Sequence, residues 1–198
     1  MRRAIYGGSF NPIHNDHIRL ALRFAEQFDL DKVILIPTFV TPLKDNSHIA
    51  DGWHRYQMCL LATEDHPKLE VSDIELRREG PSYTSDTIAE LMNDEDSLYL
   101  IVGADMYMTL DKWHDCQFIF DHVTILVAPR DEVDYDSLNE KYLFYREHYD
   151  CRTLIAHQAI GELSSTLIRE GIASGADVSG MIHPRVLEYI QQHDLYRE

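Results

Sequence analysis

The sequence predicts an α/β fold, a mostly parallel sheet with helices on both faces. Three observations predict it. Short runs of unbroken apolar residues alternate with segments of helical period. The first strand, helix and second strand fit within about 35 residues, the size of a βαβ unit. The strongest strands end at glycine. Strands apolar on both faces belong to parallel sheets covered by helices, so the pattern is Rossmann-like.

Each element follows in order. Ala4-Ile5-Tyr6 reads as a short buried strand ending at Gly7-Gly8, and Ile18 to Phe28 carries Leu20, Ala21, Phe24, Ala25 and Phe28 at helical spacing. Val33-Ile34-Leu35-Ile36 is a second apolar strand, stopped by Pro37. Trp53 to Thr63 predicts a helix, Leu69 to Leu76 an extended segment, and Ser85 to Met92 another helix. Leu98-Tyr99-Leu100-Ile101-Val102 is the strongest strand and ends at Gly103. Asp115 to Phe120 predicts a short helix, Val123 to Val127 a strand, and Thr153-Leu154-Ile155 a last, weak strand. Ser165 to Ala173 and Pro184 to His193 close the chain as helices. The stretch Asp131 to Asp150, rich in acids and tyrosine, reads as a surface helix on one side of the sheet.

The 198 residues suit one domain spanning 1–198, and 44% hydrophobic content is enough for a core. A net charge of −16 argues against broad nucleic-acid binding, which needs clustered Lys and Arg. It leaves room for a small anionic ligand held by backbone N–H groups and a few cations. Cys59, Cys116 and Cys151 are sparse and odd in number, as expected of reduced thiols in a cytoplasmic protein. After the basic start Met1-Arg2-Arg3, the apolar stretch is too short for a signal peptide. No run approaches the ~18 apolar residues of a membrane span.

The densest chemistry is Gly7-Gly8-Ser9-Phe10-Asn11-Pro12-Ile13-His14-Asn15-Asp16-His17, between the first strand and the first helix. Ligands of open α/β sheets sit outside the carboxyl ends of strands, near a change in strand order. The glycines let backbone approach a ligand, and the helix beginning near Asp16 offers free N–H groups to a phosphate. His14 and His17 stand three apart, so both can lean toward one spot and donate to a phosphoryl oxygen. The alternatives are capping or surface roles for the histidines, or a metal site built from His14, Asp16 and His17. Asp16 itself suits a helix cap. Far along the chain, Ser164-Ser165-Thr166-Leu167-Ile168-Arg169 reads as a helix N-cap with spare hydroxyls and an Arg one turn on, a cap alone or a second phosphate site.

The segment from Gly8 to His17 resembles the signature of the nucleotidylyltransferase superfamily, G-x-F-D/N-P-x-H-x-G-H. More narrowly, nearly the whole chain resembles bacterial nicotinate-mononucleotide adenylyltransferase. Gly8, Phe10, Asn11, Pro12, His14 and His17 match, whereas Asp16 stands where the family has glycine. Ser164, Ser165, Thr166 and Arg169 match I-S-S-T-x-I-R, with Leu163 for the Ile. Lys44 matches P-x-x-x-P-P-H-K after Pro37, with Leu43 where His is usual. Ser82-Tyr83-Thr84, Gly103-Ala104-Asp105 and Lys112-Trp113 match three further elements, and the resemblance extends through Arg55, Met58, Ser72, Asp73, Glu75 and the tail ending at Tyr196.

The resemblance implies that Gly7, Gly8, Ser9, Phe10, Ser164, Ser165 and Thr166 bind ATP. It also implies that His14, His17, Lys44 and Arg169 serve the reaction. On the pyridine side it implies stacking by Trp113, ribose binding by Asp105 and backbone contacts around Thr84 and His114. The ordinary alternative for Trp113 is core packing, and for Lys44 a solvated loop lysine. The implied reaction joins AMP from ATP, with Mg²⁺ on its phosphates, to nicotinate mononucleotide. Nicotinamide mononucleotide is the near rival. Asp16, whose carboxylate lies close to where a triphosphate belongs, and Leu43 motivate a third reading, a weakly catalytic nucleotide-binding protein. The sequence is silent on oligomeric state.

Overall fold

A computed structural model of the 198-residue chain describes residues 1–41, 49–129, 134–156 and 163–197. Six strands form one parallel sheet: β1 (Arg2–Gly8), β2 (Lys32–Pro37), β3 (Leu69–Val71), β4 (Ser97–Gly103), β5 (Thr124–Ala128) and β6 (Thr153–Ile155). Their spatial order is β3-β2-β1-β4-β5-β6. The chain winds outward from β1 in one direction and from β4 in the other. Those directions part between β1 and β4, and it is above the carboxyl ends of strands at such a switch point that open α/β sheets form their ligand crevice.

Alternation along the strands builds two cores. Ala4 and Tyr6 of β1, Val33 and Leu35 of β2, Ile101 of β4 and Leu126 of β5 face one side. There they meet the helices α1 (Asn15–Gln27), α2 (Gly52–Thr63), α8 (Ser165–Ser174) and α9 (Pro184–Gln192). Ile5, Ile34, Ile36, Leu98, Leu100, Val102, Ile125 and Val127 face the other. That face is covered by α3 (Ile74–Arg78), α4 (Thr84–Leu91), α5 (Ala104–Tyr107), α6 (Cys116–His122) and α7 (Asp134–Tyr149). Strands buried on both sides are what the unbroken apolar runs demand.

Three differences from the sequence reading have local causes. The extended segment Leu69 to Leu76 is extended only to Val71, and Ile74–Arg78 is helical. The alternate apolar pair Ile74 and Leu76 mimics a strand. Ser72 Oγ accepts the Ile74 N–H (3.3 Å), and Arg77 pairs with Asp73 (2.9 Å), both of which favour a helix. A 3₁₀ turn at Leu110–Lys112 and α5 are too short to show a period. The helix within 131–150 exists as α7, yet Leu138 and Tyr145 are fully buried, so it completes the second core. Cys59 and Cys151 are buried and Cys116 half-buried, all as free thiols. Among the described residues no helix is long and apolar enough to cross a membrane.

Candidate active site

The turn after β1 is held tightly. A Cβ on Gly8 would stand 3.1 Å from the Phe10 ring, a tight contact that would press on that ring. Phe10 has a left-handed backbone (φ 44°), which drives its ring into the core edge-on to Tyr6 and His17. The N-cap of α1 is His14, not Asp16. Its ring stacks on that of His17 with centroids 3.7 Å apart, so the two histidines do converge. The His14 N–H donates to His17 Nδ1 (3.2 Å), which leaves the proton of a neutral His17 ring on Nε2. Burial lowers His14 to about 4, with Arg19 adding to the effect, and burial beside His14 lowers His17 in the same direction. Both rings are therefore neutral donors at pH 7.

Asp16 has other work than capping. It is 5% exposed, accepts the Leu163 N–H at Oδ2 (2.9 Å) and pairs with Arg19. Its carboxylate thus ties the first turn of α1 to Leu163, two residues before α8. It does not join His14 and His17 as metal ligands. Among the described residues the one group of three close ligand types is Glu64, Asp65 and His183, where α2 ends and α9 begins.

The second segment lands on the first. Ser164 caps α8 by accepting the Leu167 N–H (3.2 Å). Ser165 Oγ donates to the Pro12 carbonyl (2.9 Å), and Arg169 donates to the Asn11 carbonyl (2.8 Å) and to Thr166 Oγ1 (3.2 Å). Gly7, Gly8, Ser9, Ser164, Ser165, Thr166, Arg169 and the two histidines therefore gather around one turn. Lys44 and Leu43 lie outside the described residues.

Across the crevice, Asp105 is exposed at the carboxyl end of β4, in α5. Thr84 is the first residue of α4. His114 stacks on Tyr83 (4.2 Å) and its Nδ1 meets Ser85 Oγ (3.2 Å), which brings the Thr84 and His114 backbones together. Trp113 is half-buried against the second core, and its Nε1 is buried with no partner among the described residues.

Sequence reasoning missed the residue that joins these parts. Arg55 is 1% exposed. Its guanidinium donates to the carbonyls of Ser9 (2.7 Å), Thr38 (2.6 Å) and Ala50 (2.8 Å). It clasps the turn after β1 to the exit of β2 and to the start of α2. The signal was present: Arg55 lies three and four residues before Met58 and Cys59, hence on the buried stripe of α2. Asn11 Oδ1 accepts from Ala50 N–H (3.1 Å) and Tyr196 O–H (2.8 Å), a second joint that the motif alone does not reveal.

The chain matches the family model described as cytidylyltransferase-like over residues 5–171. It is 34% identical over 194 residues to a probable nicotinate-nucleotide adenylyltransferase of Lachnoclostridium phytofermentans, covering 97% of each chain. It is 34% identical over 200 residues to another so described from Flavobacterium psychrophilum, covering 100% of each. Its fold is similar to that of the Plasmodium falciparum nicotinic acid mononucleotide adenylyltransferase complexed with NaAD. The TM-score is 0.77 at 18% identity, over 98% of this chain and 97% of that one.

Proposed function

The chain belongs to the cytidylyltransferase-like family, among the nicotinate-nucleotide adenylyltransferases, and from that premise we propose that it joins AMP from ATP to nicotinate mononucleotide. The products are nicotinate adenine dinucleotide and pyrophosphate. The observation that carries the reading is the convergence of Ser165 and Arg169 on the Asn11–Pro12 turn, beside the stacked His14 and His17, at the switch point of the sheet.

In this reaction an oxygen of the mononucleotide 5′-phosphate attacks the α-phosphorus of ATP in line. The bond from that phosphorus to the bridging oxygen breaks, and its electron pair leaves with pyrophosphate. The attacking phosphate is already anionic at neutral pH, so no catalytic base is needed. The protein has to hold two anions together and offset charge as it builds. His14 and His17, neutral, donate hydrogen bonds to phosphoryl oxygens, His17 through Nε2. Arg169 and Lys44 supply positive charge. The backbone from Gly7 to Phe10, with Ser164, Ser165 and Thr166, cradles the rest of ATP.

On the other side Trp113 stacks on the pyridine ring. Asp105 takes a ribose hydroxyl, and backbone N–H groups at Thr84 and His114 take the nicotinate carboxylate. ATP enters as its divalent-metal complex, with Mg²⁺ as the ion. The ion rides on the phosphates as part of the substrate, and it lessens the repulsion between the anions. Residues 1–198 act as one domain, a cytoplasmic one on this reading, with small molecules and not nucleic acids as partners.

The test is formation of dinucleotide and pyrophosphate from ATP, Mg²⁺ and each mononucleotide in parallel. Product is expected with a preference for the nicotinate form. Product with the amide form alone would keep the chemistry and overturn the specificity. Binding of ATP with no product from either would favour a nucleotide-binding protein without this activity.

A further inference from the structure

We propose that Glu75 is a positioning residue for the pyridine mononucleotide: its buried carboxylate fixes the first turn of α4, and with it the Thr84 and His114 backbones. The inference rests on the adenylyltransferase reading and deepens it.

Glu75 lies on the five-residue helix α3 and is 5% exposed. Its Oε1 accepts the Thr87 hydroxyl (2.7 Å) from α4. Arg78, also on α3, donates to Thr87 Oγ1 (2.9 Å) and to Glu90 (2.6 Å), and stands 4.0 Å from Glu75. These bonds lock α3 to α4 side by side. Just before α4, the chain is stitched to the exit of β2. Val40 and Pro81 form a bridge, Ser82 N–H donates to the Val40 carbonyl (2.9 Å), and Phe39 N–H donates to Ser82 Oγ (2.9 Å). The Ser85–His114 contact and the Tyr83–His114 stack then pass the position of α4 to the turn after Trp113.

A buried carboxylate is an expensive way to join two helices. Its second oxygen, Oε2, is buried with no partner among the described residues. Burial pushes the carboxyl up from its ordinary range, and the Ser82 and Thr87 hydroxyls and Arg78 draw it back. Packing alone would be served by an apolar side chain. What the carboxylate adds is a short, directional bond that sets the rotation of α4. The phosphate side has other hydrogen bonds, those of Arg169, Ser165, Asp16 and Arg55, none of them made to Glu75 or Thr87, while the Glu75 charge favours the buried Arg55 guanidinium. Loss of the Glu75–Thr87 bond therefore acts on the pyridine side, and Thr87→Val, which keeps the Glu75 charge near Arg55, separates that bond from any effect on the phosphate side.

Steady-state kinetics of the wild type, Glu75→Ala, Glu75→Gln and Thr87→Val test this, each substrate varied with the other saturating. Loss of one buried hydrogen bond predicts a KM for nicotinate mononucleotide raised about tenfold in Glu75→Ala, with kcat and the KM for ATP within about twofold. The amide oxygen of Glu75→Gln accepts from Thr87 and restores the KM to within about threefold of wild type. Should Glu75→Ala fail to fold, Thr87→Val carries the test, since it removes the hydroxyl and keeps the shape. An equal rise in both KM values, or no rise in a folded variant, overturns the inference while the activity stands. A wild type that makes no dinucleotide overturns the reading beneath it.

Discussion

Replacing Arg55 with Met would remove three hydrogen bonds and keep most of the packing. The bonds run to the carbonyls of Ser9, Thr38 and Ala50 at 2.6 to 2.8 Å. Hydrogen bonds from a charged group contribute about 1.5–3 kcal/mol each. Relief of the buried guanidinium's desolvation, several kcal/mol, offsets part of the loss. Burial already lowers the Arg55 pKa, which shows that the desolvation is felt. The net cost is roughly 3–5 kcal/mol, because three buried carbonyls are left without a donor. For a chain of this length that lowers Tm by about 6–20 °C. Arg55→Lys, whose single ammonium cannot span three carbonyls from three segments, falls between. Urea unfolding followed by circular dichroism at pH 7 measures the difference. An Arg55→Met protein within about 1 kcal/mol of wild type would refute the clasp, since that is below the worth of even one such bond.

The buried histidines make stability depend on pH. His14 titrates near 4 in the folded chain against 6.5 ordinarily, so the unfolded chain takes the proton first. Stability is full above about pH 6.5 and falls as pH drops toward 4, by roughly 3 kcal/mol for His14, with His17 acting in the same direction. Urea midpoints measured from pH 7.5 to 4.5 should show the fall, and His14→Gln should flatten it; an equally steep His14→Gln curve would count against this. His17→Ala should lower kcat by about 10²–10³ and the ATP affinity far less, since a donor aimed at developing charge acts in the transition state; unchanged turnover would remove His17 from that role. Asp16→Gly frees the Leu163 N–H and unpairs Arg19. We expect a less stable protein and no gain in kcat beyond about tenfold, or 1.4 kcal/mol. A gain of orders of magnitude would mean that the carboxylate suppresses the reaction.

Most of the fold was legible because the strands are buried on both faces. Val33 to Ile36, and Leu98 to Val102 apart from the Tyr99 hydroxyl, leave no polar position for a half-exposed strand or a surface helix. The turn from Gly7 to His17 was legible too, since its residue types crowd where a parallel sheet puts its ligands. What stayed hidden were partners distant in sequence. Asp16 looks like a cap until Leu163 is beside it. Arg55 looks like an ordinary helix residue until three carbonyls surround it. Glu75 gains meaning only when α3 and α4 lie side by side, and α3 itself is too short to declare a period.

The turn that gathers the histidines is finished by residues far along the chain. Asn11 receives Tyr196, its own carbonyl receives Arg169, and Asp16 receives Leu163, over separations of 185, 158 and 147 residues. Such long closures are slow to form and come late in folding. On the ribosome, where synthesis runs at about 5–20 residues per second, β1 and α1 emerge many seconds before α8. Through that interval the nascent chain carries the glycine turn and its histidines without the groups that brace them. A chain stalled before residue 163 has all six strands, β1 to β6, in its sequence but lacks the α8 and Tyr196 contacts that brace this turn.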